Sequence, residues 1–356
     1  MSPTLTSKTL RIGSHTIGAG NPVFIIAEAG VNHNGDVDFA LKLVDAAAEA
    51  GADAVKFQTF TAEEVVTGAG DMADYQKRNT GKEQSQLEMI RALELSEDEF
   101  KTVADHCSAK GIIFLSAPHS GFGSVDVLER LRVPAFKFGS ADLNNFPVLD
   151  YTARLGKPLI ISTGMADIKD IEEAVACIRA AGNDDIVVFQ CTTDYPSKLE
   201  DVNLRAMPTI RDAFDVIVGY SDHTIGNEAS IVAVALGASV LEKHLTLDNA
   251  MDGPDHQASA DPDAFIAYVK AVRDAEIILG SAEKTIADSA RKYLPLVLKS
   301  VVARGPIPEG TVFTKENLAI KRPASGLAPK FYTQMLGLRA TRSLGHDEQI
   351  QEGDYA

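Results

Sequence analysis

Two kinds of segment, which differ in the spacing of their apolar residues, alternate regularly along most of the chain. Short β-rich apolar runs are separated by longer segments in which apolar residues recur at three- and four-residue spacing, the pattern of strands alternating with amphipathic helices. Eight such strand–helix units in roughly 260 residues predict one (β/α)8 TIM barrel. A doubly wound open sheet is less favoured, because no Gly-x-Gly-x-x-Gly turn follows the first strand. The predicted strands span residues 24–28, 54–58, 112–116, 135–138, 159–162, 186–190, 216–223 and 240–244.

Both ends of the chain depart from this alternation. Residues 1–22 contain two β-like runs around a turn and predict a hairpin that caps the barrel, which itself spans residues 23–282. Residues 283–298 have the composition of a linker. Residues 299–356 change to short β runs with Pro and Gly turns, which predict a small mostly-β domain. Because so small a core is near the lower size limit for independent folding, this domain is expected to dock on something larger.

The overall composition narrows the possible partners and the compartment. A net charge of −16 argues against nucleic acid or an anionic membrane surface as a partner. The three cysteines, Cys107, Cys177 and Cys191, are widely spaced and form neither a disulfide nor a metal-binding pattern. No apolar stretch reaches the ~18 residues of a membrane span. We therefore expect a cytoplasmic protein whose anionic ligands are bound by a few locally placed cations.

Two histidines end neighbouring apolar runs of the predicted barrel. His223 closes the run that begins at Val216, and His244 closes the run that begins at Val240. If these runs are adjacent parallel strands, their carboxyl ends place both imidazoles at one edge, where they can hold a metal ion. The alternative is two separate histidines that are satisfied by neighbouring polar groups.

Two lysines interrupt other strand runs and point to an anion site. Lys56 shares strand parity with Gln58, and Lys137 repeats the situation two strands later. A lysine inside a barrel is unfavourable by several kcal/mol unless an anion pairs with it. Nearby hydroxyls would complete a phosphate and carboxylate site; they belong to Ser116, Ser140, Ser162 and Ser221. The alternative pairs each lysine with an inward carboxylate such as Glu28 or Glu242.

Further polar residues at strand ends predict a pocket of the size of a sugar. Glu28 and Asn32 share parity after the first strand, as do Thr193 and Tyr195 after the sixth. Asp255 lies in the loop beyond His244. A polyhydroxylated substrate needs many such partners. Asn32 and its neighbours are alternatively turn and cap residues.

These residues lie in an ordered series of motifs that resembles sialic acid synthases. The series covers nearly the whole chain, and the tail with Lys321-Arg322-Pro323 and Gly326 resembles that family's C-terminal antifreeze-like (SAF) domain. The motifs are Glu28-Ala-Gly-Val-Asn-His-Asn-Gly35, Val55-Lys-Phe-Gln-Thr59, Lys137-Phe-Gly-Ser140, Ser162-Thr-Gly-Met165, Gly219-Tyr-Ser-Asp-His-Thr224, Glu242-Lys-His-Leu-Thr246 and Gly253-Pro-Asp-His256.

The resemblance implies an activity and a set of roles. Such enzymes condense phosphoenolpyruvate with an N-acyl mannosamine, giving a nonulosonic acid and phosphate, with Mn2+ or alternatively Mg2+ as the divalent metal. Phosphoenolpyruvate would be bound by Lys56, Lys137, Ser116, Ser140, Ser162, Ser221 and Thr193. The metal would be held by His223 and His244, and the amino sugar contacted by Gln58, Asn79, Tyr195 and Asp255. Arg322 would cover the sugar from the swapped C-terminal domain of a homodimer partner.

One segment departs from the family pattern. Where family members often carry Gly-Ser-Gly-Glu, this chain has Gly139-Ser-Ala-Asp142, so the carboxylate is one methylene shorter. A carboxylate that transfers a proton must reach hydrogen-bond distance. Glu28 and Asp142 therefore remain two candidates for the catalytic carboxylate that positions the water added to the enol carbon.

Other functions are compatible with the same residues. The scaffold could use 2,4-diacetamido-2,4,6-trideoxymannose and make N,N'-diacetyllegionaminate, or act as a metal aldolase on pyruvate without releasing phosphate. A non-catalytic sugar-binding or ice-binding protein is less favoured, because many inward polar residues are unfavourable to keep buried in a mere binding scaffold.

Overall fold

A computed structural model describes residues 8–67 and 85–356 of the chain. The chain divides into two compact units, Met1–Gly280 and Ser281–Ala356. Asn79, one of the predicted sugar contacts, lies outside the described residues.

The strands of the first unit lie close to their predicted positions. Two precede the barrel, β1 Thr9–Ile12 and β2 His15–Gly18. The others are β3 Phe24–Gly30, β4 Ala54–Thr59, β5 Ile113–Pro118, β6 Phe136–Phe138, β7 Leu159–Ser162, β8 Ile186–Gln190, β9 Ile217–Asp222 and β10 Val240–His244.

The eight strands β3 to β10 form one parallel sheet that curves into a barrel. Its hydrogen-bonded order is β5-β4-β3-β10-β9-β8-β7-β6, and the two edge strands, β5 and β6, pack side by side. Around the ring, β5 and β6 therefore lie opposite β9 and β10. The TIM-barrel prediction is confirmed, and the open doubly wound sheet is set aside.

Helices cover the outside of the barrel. Their ends follow local chemistry: Ser96 starts one helix with a capping box, and Gly111 ends it in the left-handed conformation that a residue with a side chain rarely adopts. The helices are α1 Val37–Glu49, α2 Ala62–Val65, α3 Gln86–Arg91, α4 Glu97–Lys110, α5 Gly121–Arg130, α6 Phe146–Ala153, α7 Ile168–Ala180, α8 Ala206–Phe214, α9 Glu228–Ala235 and α10 Pro262–Leu279.

Strand alternation separates the apolar side chains into two clusters. Phe57 and other outward residues pack against the helices, whereas Ile26, Leu115 and their inward counterparts fill the barrel near the strand starts. The antiparallel β1–β2 hairpin adds Leu10, Ile12 and Ile17 to this inner cluster. The amino end of the barrel is therefore packed with apolar side chains, which leaves the carboxyl end for polar chemistry.

The second unit has its own small core. Strands β11 Ser300–Ala303 and β12 Leu318–Lys321 pair antiparallel, and isolated bridges connect later segments. The stretch 283–298, which the sequence predicts as a linker, contains two one-turn helices. The helices of this unit are α11 Asp288–Arg291, α12 Leu294–Val297 and α13 Tyr332–Met335. In neither unit do the described residues include a helix long and apolar enough to cross a membrane.

Candidate active site

A cavity of about 320 Å³ opens at the carboxyl ends of the barrel strands. Every barrel strand, or the loop that follows it, supplies a side chain to its wall. The predicted site residues in the wall are Glu28, Lys56, Gln58, Lys137, Ser140, Ser162, Thr193, Tyr195, Ser221, His223, His244 and Asp255. Residues far apart in sequence are thus brought to one mouth of the barrel.

Two buried lysines and two buried glutamates form a charge quartet at the base of the cavity. Lys56 Nζ lies 2.7 Å from Glu28 Oε2 and 3.6 Å from Glu242 Oε2, and Lys137 Nζ lies 3.6 Å from Glu242 Oε1. All four side chains are at most 4% exposed. The pairing of the lysines with carboxylates, which the sequence left open as an alternative, is therefore present in the structure.

Burial and neighbouring charges move the pKa values of the quartet in different directions. Burial raises the pKa of Glu28 to about 7, although Lys56 opposes this shift. Burial would also raise the pKa of Glu242, but Lys137 and Lys56 lower it to about 2. Burial lowers the pKa of Lys137, and Glu242 counteracts this effect. Glu28 is thus the carboxyl group that can exchange a proton near neutral pH, whereas Glu242 stays ionised.

Hydroxyl groups surround the quartet. Ser162 Oγ accepts a hydrogen bond from Lys137 Nζ at 2.7 Å, and Ser221 Oγ donates to Glu242 Oε1 at 2.9 Å. Ser140 Oγ accepts the Gly164 N–H at 2.9 Å and lies 3.4 Å from Cys191 Sγ, so its own proton is shared between this weak acceptor and a ligand. Charged donors and hydroxyl donors together suit a phosphate or carboxylate ligand.

Ser116 is placed differently from its prediction. It pairs in register with Phe57, which packs in the outer cluster, so Ser116 also points toward the helices. There it is fully buried and shares a 2.7 Å hydrogen bond with Thr59 Oγ1. The wall position on this strand belongs instead to Ala117, which pairs with Gln58.

The two predicted histidines meet at the ends of β9 and β10. Their ring centroids lie 5.4 Å apart, and the Tyr195 ring lies 4.3 Å from that of His223 and 5.5 Å from that of His244. His223 Nδ1 donates to the Thr192 carbonyl at 2.7 Å, which leaves Nε2 with its lone pair. The adjacency predicted from the strand ends is confirmed.

The chemistry of this pair suits a divalent metal. Burial lowers the pKa of both imidazoles, so they are neutral, as metal ligands must be. Among the residues that the structure describes, His244 Nδ1 is buried without a hydrogen-bond partner. The carbonyl behind His223 fixes that ring as outer-shell partners of metal ligands do. The described residues contain no group of three or more His, Cys, Asp or Glu arranged for a metal.

A second network, which the sequence did not reveal, supports these histidines from behind. Asp222 and Lys243 immediately precede His223 and His244 and therefore point to the opposite face of the sheet. Lys243 Nζ lies 3.1 Å from Asp222 Oδ2 and donates to the Thr224 carbonyl at 2.8 Å. The ion pair ties the two strand ends together. Its only sequence signal was a charged residue beside each histidine.

The outer part of the cavity is less polar. Burial raises the pKa of Asp255 to about 6, and Gln58 Nε2 donates to Glu28 Oε1 at 3.3 Å. An apolar wall that was not predicted lies nearby, formed by Val31, Phe60, Met89, Ile90 and Leu93. This part of the site combines hydrogen-bonding groups with surfaces for methyl groups.

Two further predicted residues do not line the cavity. Asp142 lies in the 3-10 turn after β6, and its Oδ2 is 2.9 Å from Nδ1 of His119, which does line the cavity. Asp142 is thus linked to the site through an imidazole rather than facing it. Arg322 is an exposed residue of the second unit, directly after β12.

Comparison with known proteins identifies the family. Residues 43–284 match the NeuB family and residues 299–356 match the SAF domain. N,N'-diacetyllegionaminic acid synthase of Campylobacter jejuni is 44% identical over 92% of this chain and 98% of that protein. The human N-acetylneuraminate-9-phosphate synthase is 37% identical over 94% of this chain and 93% of that protein.

A solved structure supports the same conclusion. The spore coat polysaccharide biosynthesis protein SpsE of Bacillus subtilis has a TM-score of 0.66 and 35% sequence identity, and the match covers 98% of this chain and 99% of that one. With its barrel, its cavity and its C-terminal unit, this chain belongs to the NeuB family of sialic-acid-type synthases and carries a SAF domain.

Proposed function

We propose that this protein condenses phosphoenolpyruvate with an N-acyl mannosamine-type amino sugar, giving a nonulosonic acid and phosphate. The observation that carries the proposal is the convergence of two buried ammonium groups and two neutral imidazoles in one cavity. The ammonium groups suit the anionic ends of phosphoenolpyruvate, and the imidazoles suit a metal beside the aldehyde.

Each end of phosphoenolpyruvate has partners in the cavity wall. Lys137 with Ser162 and Ser140 offers donors for one anionic group, and the Lys56 ammonium group offers donors for the other. These donors are fixed before the ligand arrives, because the carboxylates and neighbouring residues already orient them. Fixed donors stabilise developing charge without further reorganisation.

The histidine pair would hold Mn2+, with Mg2+ as the alternative. When bound, the metal would act as a Lewis acid on the aldehyde oxygen of the open-chain sugar. His223 is oriented by the Thr192 carbonyl and His244 by its place on β10, and both residues line the cavity. Tyr195 covers the two rings from the side.

Glu28 is the proposed proton carrier. The electron pair of the enol double bond forms the new bond from the methylene carbon of phosphoenolpyruvate to the sugar aldehyde carbon, and the aldehyde oxygen takes up a proton to become a hydroxyl. Water then adds to the enol carbon, and the carbon–oxygen bond to phosphate breaks with its electron pair leaving on phosphate. Glu28, with its pKa near 7, can accept the proton that the water releases. Asp142 does not face the cavity and is a weaker candidate for this role.

N-acetylmannosamine is the first candidate sugar, and 2,4-diacetamido-2,4,6-trideoxymannose is the second. The second sugar carries a C6 methyl group and an additional acetamido methyl, which fit the apolar wall around Phe60 and Leu93. The higher identity to the legionaminic acid synthase than to the human synthase supports the same candidate.

We also propose a homodimer in which Arg322 of one chain covers the sugar in the other. Large apolar side chains are exposed in each unit of the single chain, including Ile277 and Ile278 at 77% and 82% and Leu296 at 63%. Such exposed groups indicate contact with another protein surface. Measuring the molar mass in solution, and the sugar KM of Arg322→Ala, tests this part of the proposal.

A direct assay tests the whole proposal. Purified protein is incubated with phosphoenolpyruvate, Mn2+ and each candidate sugar, while phosphate release is followed and the product mass is measured. The proposed reaction yields phosphate and product in equal amounts. If pyruvate replaces phosphoenolpyruvate and product still forms, with no phosphate released, the protein is an aldolase. Sugar binding without turnover would show a binding protein.

A further inference from the structure

A His–Asp pair spans the junction between the two edge strands of the barrel. His119 directly follows β5, and Asp142 lies in the turn that follows β6. Asp142 Oδ2 lies 2.9 Å from His119 Nδ1, and both side chains are partly buried. Of the two, His119 is the residue in the cavity wall.

The His119–Asp142 pair lies on the side of the barrel that carries Lys137 and Ser140. Strands β5 and β6 lie across the barrel from β9 and β10, which carry the histidine pair. Lys137 and Ser140 belong to the same β6 segment as Asp142. A Cβ atom on Gly139, between them, would lie only 3.1 Å from Cε1 of His119, so the glycine makes room for the ring.

The hydrogen bond to Asp142 determines what His119 can offer. A carboxylate can only accept, so Nδ1 carries the proton and Nε2 is left for another partner. Within residues 8–67 and 85–356 no hydrogen bond to Nε2 is made. In a ring that also carries a proton on Nε2, that nitrogen is a donor, and Asp142 is the counter-charge on the other side of the ring.

We propose that His119 binds the phosphoryl group of phosphoenolpyruvate through Nε2 and that Asp142 is its positioning residue. This inference rests on the proposed function. It also accounts for the departure from the family's Gly-Ser-Gly-Glu pattern: the shorter carboxylate of Asp142 acts on the cavity through the imidazole of His119.

The competing explanation is a purely structural pair that joins β5 to β6. Loss of such a pair would lower stability but would leave ligand affinity alone. The surface pair His106–Asp45, at 2.8 Å between α4 and α1, provides a matched control because it is a His–Asp pair outside the cavity wall.

The test measures phosphoenolpyruvate binding to full-length protein by titration calorimetry, with the melting temperature recorded for each variant. His119→Leu should weaken binding by about 10- to 150-fold, the range for a charge-assisted hydrogen bond, while His106→Leu should not. The sugar KM of His119→Leu should stay within about twofold of the wild-type value. Asp142→Asn should weaken phosphoenolpyruvate binding, and Asp142→Glu should restore part of it.

The outcomes separate this inference from the proposed function. If wild-type protein does not bind phosphoenolpyruvate, the proposed function fails. If wild-type protein binds it and His119→Leu binds it equally well, only the role of His119 is overturned. A higher sugar KM with unchanged phosphoenolpyruvate affinity would likewise overturn the phosphoryl assignment.

Discussion

Glu242 is the residue whose charge matters most to the quartet. It faces both lysines, and it is the carboxylate within 4 Å of Lys137 Nζ among the described residues. The change Glu242→Gln keeps the size of the side chain and an oxygen that can accept from Ser221. It removes one negative charge and leaves two buried ammonium groups facing one remaining carboxylate.

The expected loss of stability follows from the burial of these groups. Removing one partner of a buried ion pair lowers the free energy of unfolding by about 3 to 5 kcal/mol. This loss is limited to about 4.6 kcal/mol, because that is the free energy needed to remove the proton from a lysine of ordinary pKa at pH 7. A lysine left unpaired can become neutral at this cost. For a unit of this size, the melting temperature should fall by about 6 to 20 °C.

Thermal and urea unfolding of the full chain measure this loss. Glu129→Gln is the matched control, since Glu129 pairs with Lys157 at 2.6 Å but the two side chains are 42% and 24% exposed. That change should lower stability by about 0.2 to 1 kcal/mol.

Added anion provides a second measurement on the same variant. Inorganic phosphate or phosphoenolpyruvate placed between the lysines should restore stability to Glu242→Gln by about 2.7 kcal/mol at a hundredfold excess over its dissociation constant. If Glu242→Gln is as stable as the wild-type protein at pH 7 and phosphate does not raise its free energy of unfolding, Glu242 does not hold the lysines charged.

Three other changes test separate parts of the site. Gly164→Ala places a Cβ against Thr193 Oγ1 and 3.0 Å from Ser140 Oγ, so the phosphoenolpyruvate KM should rise by about tenfold; an unchanged KM would contradict this packing. His223→Ala should lose the response of turnover to Mn2+ while its circular dichroism stays unchanged, and normal turnover after chelation would refute the metal role. Asp255→Asn should raise the sugar KM yet stabilise the fold by up to about 3 kcal/mol at pH 8, with almost no gain at about pH 3. The sign follows from the raised pKa of Asp255: the folded state binds the proton more tightly, so this group's contribution to stability is present below its unfolded pKa and is lost as the pH rises through about 6.

Strand positions and side-chain directions within a strand were predictable from the sequence. A strand has a period of two, so Lys56 and Gln58 had to share a face wherever the strand was placed, and the structure confirms that both line the cavity. The end of a parallel strand is also a defined place, which is why His223 and His244 met as predicted.

Features that depend on the register of one strand against its neighbour were not predictable. Ser116 has the correct residue type at a strand end, but its register with Phe57 turns it toward the helices. Asp142 was assigned to the cavity, although its carboxylate is bound by His119 from another strand. The bond between Lys243 and Asp222 likewise depends on the register of β10 against β9, which no local pattern contains.

The anion site and the carboxylate pairing, which the sequence offered as alternatives, are two parts of one arrangement. Burial alone would lower the pKa of Lys56, yet Glu242 and Glu28 raise it above its ordinary value. Without these carboxylates the buried lysines would tend to lose their protons and, with them, their affinity for an anion. Because a buried ion pair contributes little net stability, its presence at the base of a cavity is better explained by the ligand it prepares for. The two glutamates therefore keep the lysines charged until an anionic ligand arrives, which in the proposed reaction is phosphoenolpyruvate. The pKa of Glu28 near 7 allows that group to take up a proton when the new negative charge is added.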